Sequence, residues 1–268
     1  MTKFLKTNYN QTIAYNKIDG EKLGIVFLSG LKSDMTGQKA VALEKWAVEN
    51  NHSFLRFDYS GHGISSGKFN DFVISDWILD AKTIITKLTK GPQILVGSSM
   101  GGWIMLALAK NKLVNVHSLI GLAVAPDFTK ELIWNNLSNQ KKEEVIINNK
   151  FSLSEDLEIS YQFIKDGENN LVLNSPIEFE GSVYLYHGMM DSDVPTKLSK
   201  KVLNNAIKKG GSSIRDFKNT SGKKGNFQKN FNVYERNRLN CMRSDCTGII
   251  NKKMISNRSS FFCNICQK

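Results

Sequence analysis

The sequence predicts an α/β fold, a mainly parallel sheet followed by a small cysteine-bearing β-hairpin module. Three observations predict it. First, short β-branched or apolar runs alternate with amphipathic stretches from residue 12 to about 200, the order of a βαβ chain. Second, charge is unevenly divided along the 268 residues: positions 201–268 hold 15 Lys/Arg against 3 Asp/Glu, while positions 1–200 hold 21 against 22. Third, the four cysteines, Cys241, Cys246, Cys263 and Cys266, all lie in the last 28 residues. Two unlike parts, 1–200 and 201–268, follow from these contrasts.

Within the first part, GIVFLSG (24–30), SFLRFDYSG (53–61), QILVGSS (93–99), VHSLIGLAVA (116–125) and SVYLYHG (182–188) read as buried strands, because a parallel sheet covered on both faces needs near-continuous apolar runs. Helices fill the gaps. Val73, Trp77, Ile78, Ala81, Ile84, Ile85 and Leu88 fall on one face at helical spacing, and Gly91-Pro92 ends that helix. Residues 127–175, with Trp134, Leu137, QKKEEV and NNKFSLSED, break the rhythm and read as a helical insertion above the sheet, either a substrate-covering lid or a pair of solvated connecting helices. No apolar run approaches the roughly 18 residues of a membrane span, and the N-terminus has no apolar signal core. A cytoplasmic protein without membrane contact is expected.

Gly97-Ser98-Ser99-Met100-Gly101 fits G-x-S-x-G, preceded by an apolar strand and followed by the helix former GWIMLALAK. That context is what a nucleophile elbow requires, since small residues let the chain turn sharply and expose the serine hydroxyl at the carboxyl edge of the sheet. The competing reading is a glycine turn that only packs helix on strand. FLSGLKSDM places a Gly-Leu turn after the first buried strand, where the N–H of Leu31 could join that of Met100 as an oxyanion hole. FDYSGHGISSG (57–67) and HGMMDSDVP (187–195) follow later strands. With these motifs, residues 1–200 resemble the α/β-hydrolase superfamily, and within it the small serine esterases and acyl-protein thioesterases. The resemblance implies Ser99 as nucleophile, a small ester or thioester substrate, and Asp191 as the acid of a triad, with Asp193 as the alternative.

The same resemblance implies a histidine after Asp191, because the family's chain order is Ser, acid, His. No histidine follows His187. His52 and His117 precede their strands and belong to the wrong edge, leaving His62 and His187 as candidate surrogate bases or, more simply, as structural loop residues. A serine without an imidazole is a weak nucleophile at neutral pH. Its loss is expected to lower turnover by on the order of 10⁴-fold to 10⁶-fold. The family's last strand and closing helix are missing with it, so a truncated α/β-hydrolase is expected.

In the tail, Cys241-x4-Cys246-x16-Cys263-x2-Cys266 forms two cysteine pairs flanking a hairpin-length segment. Four thiolates at this spacing suit one structural Zn²⁺, and a cytoplasmic setting disfavours disulfides. Arg258 on the hairpin turn, with Lys252, Lys253 and Arg243 nearby, makes a basic surface suited to phosphates, although charge alone is also compatible with a merely solvated module. AIKKGGSSIRDFKNTSGKKGNFQKNFNVYERNRLNC and ISNRSSFFCNICQK closely resemble the C-terminal end of bacterial formamidopyrimidine-DNA glycosylase. The resemblance implies that Gly210–Phe217, including Arg215, corresponds to the loop closing over the flipped-out base. It also implies that Arg258 contacts DNA phosphates and takes part in elimination.

That family's catalytic N-terminal proline has no counterpart after Met1, where Thr2, Lys3 and Phe4 follow, and its helical DNA clamp has no room. Base excision is therefore not expected. The join falls in TKLSKKVLNNAIKKGG, read either as a fusion of two coding regions with loss of the segment between them or as an assembly artefact giving the same text. Three functions are open at this point: an impaired serine hydrolase, a zinc-dependent DNA-binding fragment related to a repair glycosylase, and a non-functional relic.

Overall fold

The computed structural model describes residues 2–154, 157–203, 237–243, 246–255 and 258–266, by backbone alone at 254–255 and 258–261. The chain forms two compact units, Met1–Ser212 and Ser213–Lys268.

The first unit is built on a seven-stranded sheet. Its strands are β1 (Lys3–Lys6), β2 (Thr12–Ile18), β3 (Lys22–Leu28), β4 (His52–Phe57), β5 (Gln93–Ser98), β6 (Val116–Leu122) and β9 (Ser182–Tyr186), in the order β1-β2-β4-β3-β5-β6-β9. From β4 to β9 all neighbours are parallel. The expected strands at 24–30, 53–61, 93–99, 116–125 and 182–188 become β3, β4, β5, β6 and β9. The antiparallel pair β1 and β2 is an addition, and β1 is too short and exposed to announce itself.

Three helices cover the sheet: α1 (Gln38–Glu49), α2 (Ile74–Leu88) and α3 (Met100–Lys110). Ala40 and Ala47 of α1 pack with Ile25, Phe27, Phe54 and Val96. The larger core contains α2 and α3, with Trp77 and Trp103 fully buried. Each of these indoles removes roughly 200 Å² from water, worth about 5 kcal/mol before the entropy of ordering is counted. In α2 the helical periodicity is realised by Trp77, Ile78, Ala81, Ile84 and Ile85, while Val73 becomes the N-cap.

The insertion is not wholly helical, which corrects the expectation. A π-helical turn at Thr129–Ile133 leads to α4 (Asn139–Asn148), then to a hairpin of β7 (Lys150–Ser154) and β8 (Leu157–Ser160), then to α5 (Tyr161–Asn169). Asn149 takes the left-handed conformation and ends α4. The following KFSLS alternates apolar and polar residues at period two, the pattern of a strand. Ser160 caps α5 by accepting from the N–H of Phe163 at 3.0 Å. Asp166 fastens that helix to α2, accepting from the N–H and hydroxyl of Ser75 at 2.8 and 2.7 Å.

After β9 the short helix α6 (Lys197–Lys201) packs Leu198 and Ser199 inward. In the second unit, β10 (Ile250–Ile255) and β11 (Arg258–Cys263) form an antiparallel hairpin. Their pairing runs from Ile250 opposite Cys263 to Ile255 opposite Arg258. Among the described residues no helix is long and apolar enough to cross a membrane.

Candidate active site and metal centre

Ser99 stands between β5 and α3 with φ 52° and ψ −116°, a conformation that costs a non-glycine residue on the order of 1–3 kcal/mol. Three backbone hydrogen bonds hold it there: its N–H donates to Leu122 O at 3.0 Å, and its carbonyl accepts from Gly102 at 2.9 Å and Ala125 at 3.1 Å. The glycines make the turn possible. A side chain at Gly97 would collide with Gly101, and one at Gly101 would collide with the Leu28 and Ser29 carbonyls. The Ser99 side chain is only half-buried and has no hydrogen-bond partner among the described residues. Strand, strained serine and helix therefore place an accessible hydroxyl at the carboxyl edge.

Two backbone segments approach it. A Cβ built on Gly30 would lie 3.4 Å from Ser99 Cβ, so the loop that begins Gly30-Leu31-Lys32 starts beside Ser99. Met100 opens α3, where the first N–H groups of a helix have no partner within it. Leu31 and Met100 are thus brought to the same corner of the sheet as Ser99.

The histidines are occupied elsewhere. His62 is buried, with ring neighbours Trp77 at 4.9 Å, Phe69 at 5.3 Å and Tyr59 at 5.6 Å between centroids. Its Nε2 accepts from the Lys32 N–H at 3.1 Å and its Nδ1 faces Ser60 O at 3.3 Å. Burial pushes its pKa down to about 4, the carbonyl of Ser60 opposing that and the charge of Lys32 adding to it. His187 places Nε2 2.6 Å from Val194 O and Nδ1 2.7 Å from Ser199 Oγ, so it ties the β9 turn to α6. His52 contacts Leu23 O at 2.8 Å and opens β4, and His117 lies near the start of β6; both are at the amino edge.

Asp191 accepts from the N–H of Asp193 at 3.1 Å and of Val194 at 2.9 Å through Oδ1, which closes the turn after β9. Its Oδ2 lies 3.6 Å from His187 Nε2. Asp193 is exposed and, among the described residues, its carboxylate receives the hydroxyl of Ser192 at 3.4 Å.

The FDYSGHGISSG stretch contains Asp58-x-x-Gly61-x-Gly63-x-Ser65, which builds a link between two loops. Asp58 is buried and accepts from Met35 at 2.6 Å and Ile64 at 3.0 Å, linking the loop after β3 to the loop after β4. Gly63, at φ +49°, leaves room for that carboxylate. The spacing of the glycines was the available signal.

In the second unit the four cysteine sulfurs lie within 4.8 Å of one another. Cys241 and Cys266 are 3.7 Å apart and Cys246 and Cys263 3.6 Å, far from the roughly 2.05 Å of a disulfide. A tetrahedron of Zn–S bonds near 2.3 Å gives S···S edges of about 3.8 Å, so the donor set fits a tetrahedral thiolate metal. Gly248 N–H points at Cys246 Sγ at 3.4 Å and Ile265 N–H at Cys263 Sγ at 3.5 Å, the outer contacts that orient thiolates toward a cation. Backbone N–H groups of Cys266 and Ile265 pull the Cys263 thiol down. A side chain at Gly248 would collide with Cys263 Sγ.

Lys252 and Lys253 are exposed on β10, and Arg243 is exposed beside the cysteines. Arg258 begins β11 immediately after the hairpin turn; its side chain lies outside the described residues, as do Arg215 and the Gly210–Phe217 segment.

Parallel sheet, elbow and carboxyl-edge acid turn together define a hydrolase of the α/β class. The Alpha/beta hydrolase family matches residues 25–156. Palmitoyl-protein thioesterase ABHD10, mitochondrial, from Rattus norvegicus is 37% identical over 210 residues, 76% of this chain and 70% of the relative. The solved structure of alpha/beta hydrolase domain-containing protein 10 from mouse superposes with a TM-score of 0.72 at 34% identity, covering 79% of this chain and 90% of that one. A separate match joins the tail to formamidopyrimidine-DNA glycosylase of Methylobacterium radiotolerans, 43% identical over 77 residues, 29% of this chain but only 26% of that protein. The chain belongs to the α/β hydrolase family, as a thioesterase-like domain followed by a segment resembling the glycosylase's zinc-finger end.

Proposed function

We propose that the first part, residues 1–200, is a serine hydrolase acting on esters or thioesters, with acyl thioesters favoured by its likeness to the palmitoyl-protein thioesterase. The observation that carries this reading is the strained Ser99 at φ 52°, ψ −116°, the strand-to-helix turn that exposes a serine hydroxyl in a nucleophile elbow. Ser99 Oγ attacks the acyl carbon, and the N–H groups of Leu31 and Met100 receive the developing oxyanion. The thiolate or alkoxide leaves, and water then cleaves the acyl–Ser99 ester. Asp191 is the acid of the site by its place after β9. Both ring nitrogens of His62 and of His187 are engaged and His52 and His117 lie at the opposite edge, so the serine proton passes to a base from solvent and turnover is slow. Hydrolysis of a short acyl thioester, lost in Ser99→Ala, tests the reading.

A second reading concerns residues 201–268, and the cysteine geometry favours it. In this reading one structural Zn²⁺ is held by Cys241, Cys246, Cys263 and Cys266, which contribute no redox chemistry with the metal bound. Lys252 and Lys253 on β10 and Arg243 beside the cysteines, together with Arg258 and Arg215 by the glycosylase resemblance, are the residues proposed to meet DNA phosphates. The glycosylase's excision chemistry is not part of the proposal. Binding of duplex DNA that weakens with salt and with chelation tests it.

A further inference from the structure

We infer that His62 is a positioning residue for the hydrolase site, holding the Leu31–Lys32 peptide so that the Leu31 N–H faces the oxyanion beside Ser99. The inference rests on the serine-hydrolase reading and gives His62 a different role from the surrogate base. A backbone N–H can only donate, so the 3.1 Å contact from Lys32 to Nε2 fixes Nε2 as the unprotonated nitrogen. A carbonyl can only accept, so Nδ1 carries the proton toward Ser60 O. One tautomer satisfies both neighbours. Taking a proton from Ser99 on Nε2 would cost the Lys32 hydrogen bond.

The ring is itself fixed. Ser60 donates its N–H to Asp80 Oδ2 at 2.7 Å, and its carbonyl also accepts from Trp77 Nε1 at 3.0 Å. Tyr59, Phe69 and Trp77 enclose the imidazole edgewise or nearly so. A continuous path therefore runs from α2 through Ser60 and His62 to the Lys32 amide, one residue from Leu31. Lys32 has a left-handed φ of 53°, uncommon for a residue with a side chain, within a turn that Ser33 N–H closes onto Gly30 O at 3.1 Å. Farther along the loop, Met35 is anchored separately by Asp58. His62 thus adds a side-chain anchor at the Lys32 amide to the backbone bond that closes this turn.

The test is the rate of fluorophosphonate labelling of Ser99 in the full chain, with imidazole in the buffer as proton acceptor, for wild type, His62→Leu and His62→Gln. Misplacing one oxyanion donor lowers the first-order labelling step by on the order of 100-fold in His62→Leu and leaves the probe's binding constant unchanged. His62→Gln, whose carbonyl oxygen can accept from Lys32, recovers most of the rate. Wild-type labelling in a folded His62→Leu overturns the inference while leaving the hydrolase reading intact. No labelling of the wild type overturns the hydrolase reading and this one with it. Nitrogen-15 shifts of His62 give a measurement independent of variant folding: Nε2 unprotonated and Nδ1 protonated is expected, and the reverse tautomer overturns the inference.

Discussion

His187 Nε2 and Asp191 Oδ2 lie 3.6 Å apart, but both nitrogens of the ring make shorter contacts with other groups. Nε2 donates to Val194 O and Nδ1 accepts from the Ser199 hydroxyl. Both nitrogens bind the β9 turn to α6, and the carboxylate's other oxygen closes the same turn through Asp193 and Val194. His187→Ala should cost about 1–3 kcal/mol by leaving these groups without partners and leave the rate of Ser99 labelling unchanged. Urea unfolding beside the labelling rate measures both, and a selective loss of labelling would make His187 the base.

Acid should weaken the first unit through His62. Its pKa falls from 6.5 to about 4 in the fold, mainly by burial, so the unfolded chain takes up a proton that the native chain refuses. The stabilisation is complete above pH 6.5 and is lost as pH falls toward 4, a change on the order of 3 kcal/mol. In His62→Gln the stability profile across that window should be flatter. An unchanged slope would show that other groups set the acid response.

The cysteine cluster predicts one metal ion and no disulfide. Thiol titration of the native protein should find the four cysteines protected, and all four should react after strong chelation. Because thiolate-bound zinc supplies on the order of 10 kcal/mol of folding free energy, chelation should also unfold the second unit. Gly248→Ala should weaken metal binding, since its methyl group meets Cys263 Sγ. Thiols that stay unreactive with no metal present would mean disulfides instead.

DNA affinity, where the second reading holds, should fall linearly on a log scale with salt, at roughly 0.9 per phosphate contacted. Arg258→Ala and Lys253→Ala should each reduce that slope by about 1. Binding insensitive to salt, to both variants and to chelation would remove DNA as a partner.

Much of the fold was legible because its elements are locally consistent. GIVFLSG and QILVGSS are apolar enough to be read as buried parallel strands, and the glycines of GSSMGG between a strand and a helix former announce the sharp turn. KFLK (β1) carries no such pattern, since it is a mostly exposed edge strand. NNKFSLSED misled because a helical run precedes it, and only the left-handed Asn149 and the alternation after it mark the switch to a hairpin. The sharp turn at Ser99 and the convergence of the four cysteines were legible from spacing. The partners of His62 were not: Lys32 lies 30 residues away, and a backbone donor leaves no trace in residue identity.

A serine nucleophile without its own base, the role proposed for Ser99, responds to a base supplied from solution. Fluorophosphonate labelling of the full chain should be slow in plain buffer, rise at least about tenfold with added imidazole, and vanish in Ser99→Ala. Fast labelling without imidazole would contradict the missing base, and no labelling under either condition in a folded protein would contradict the nucleophile.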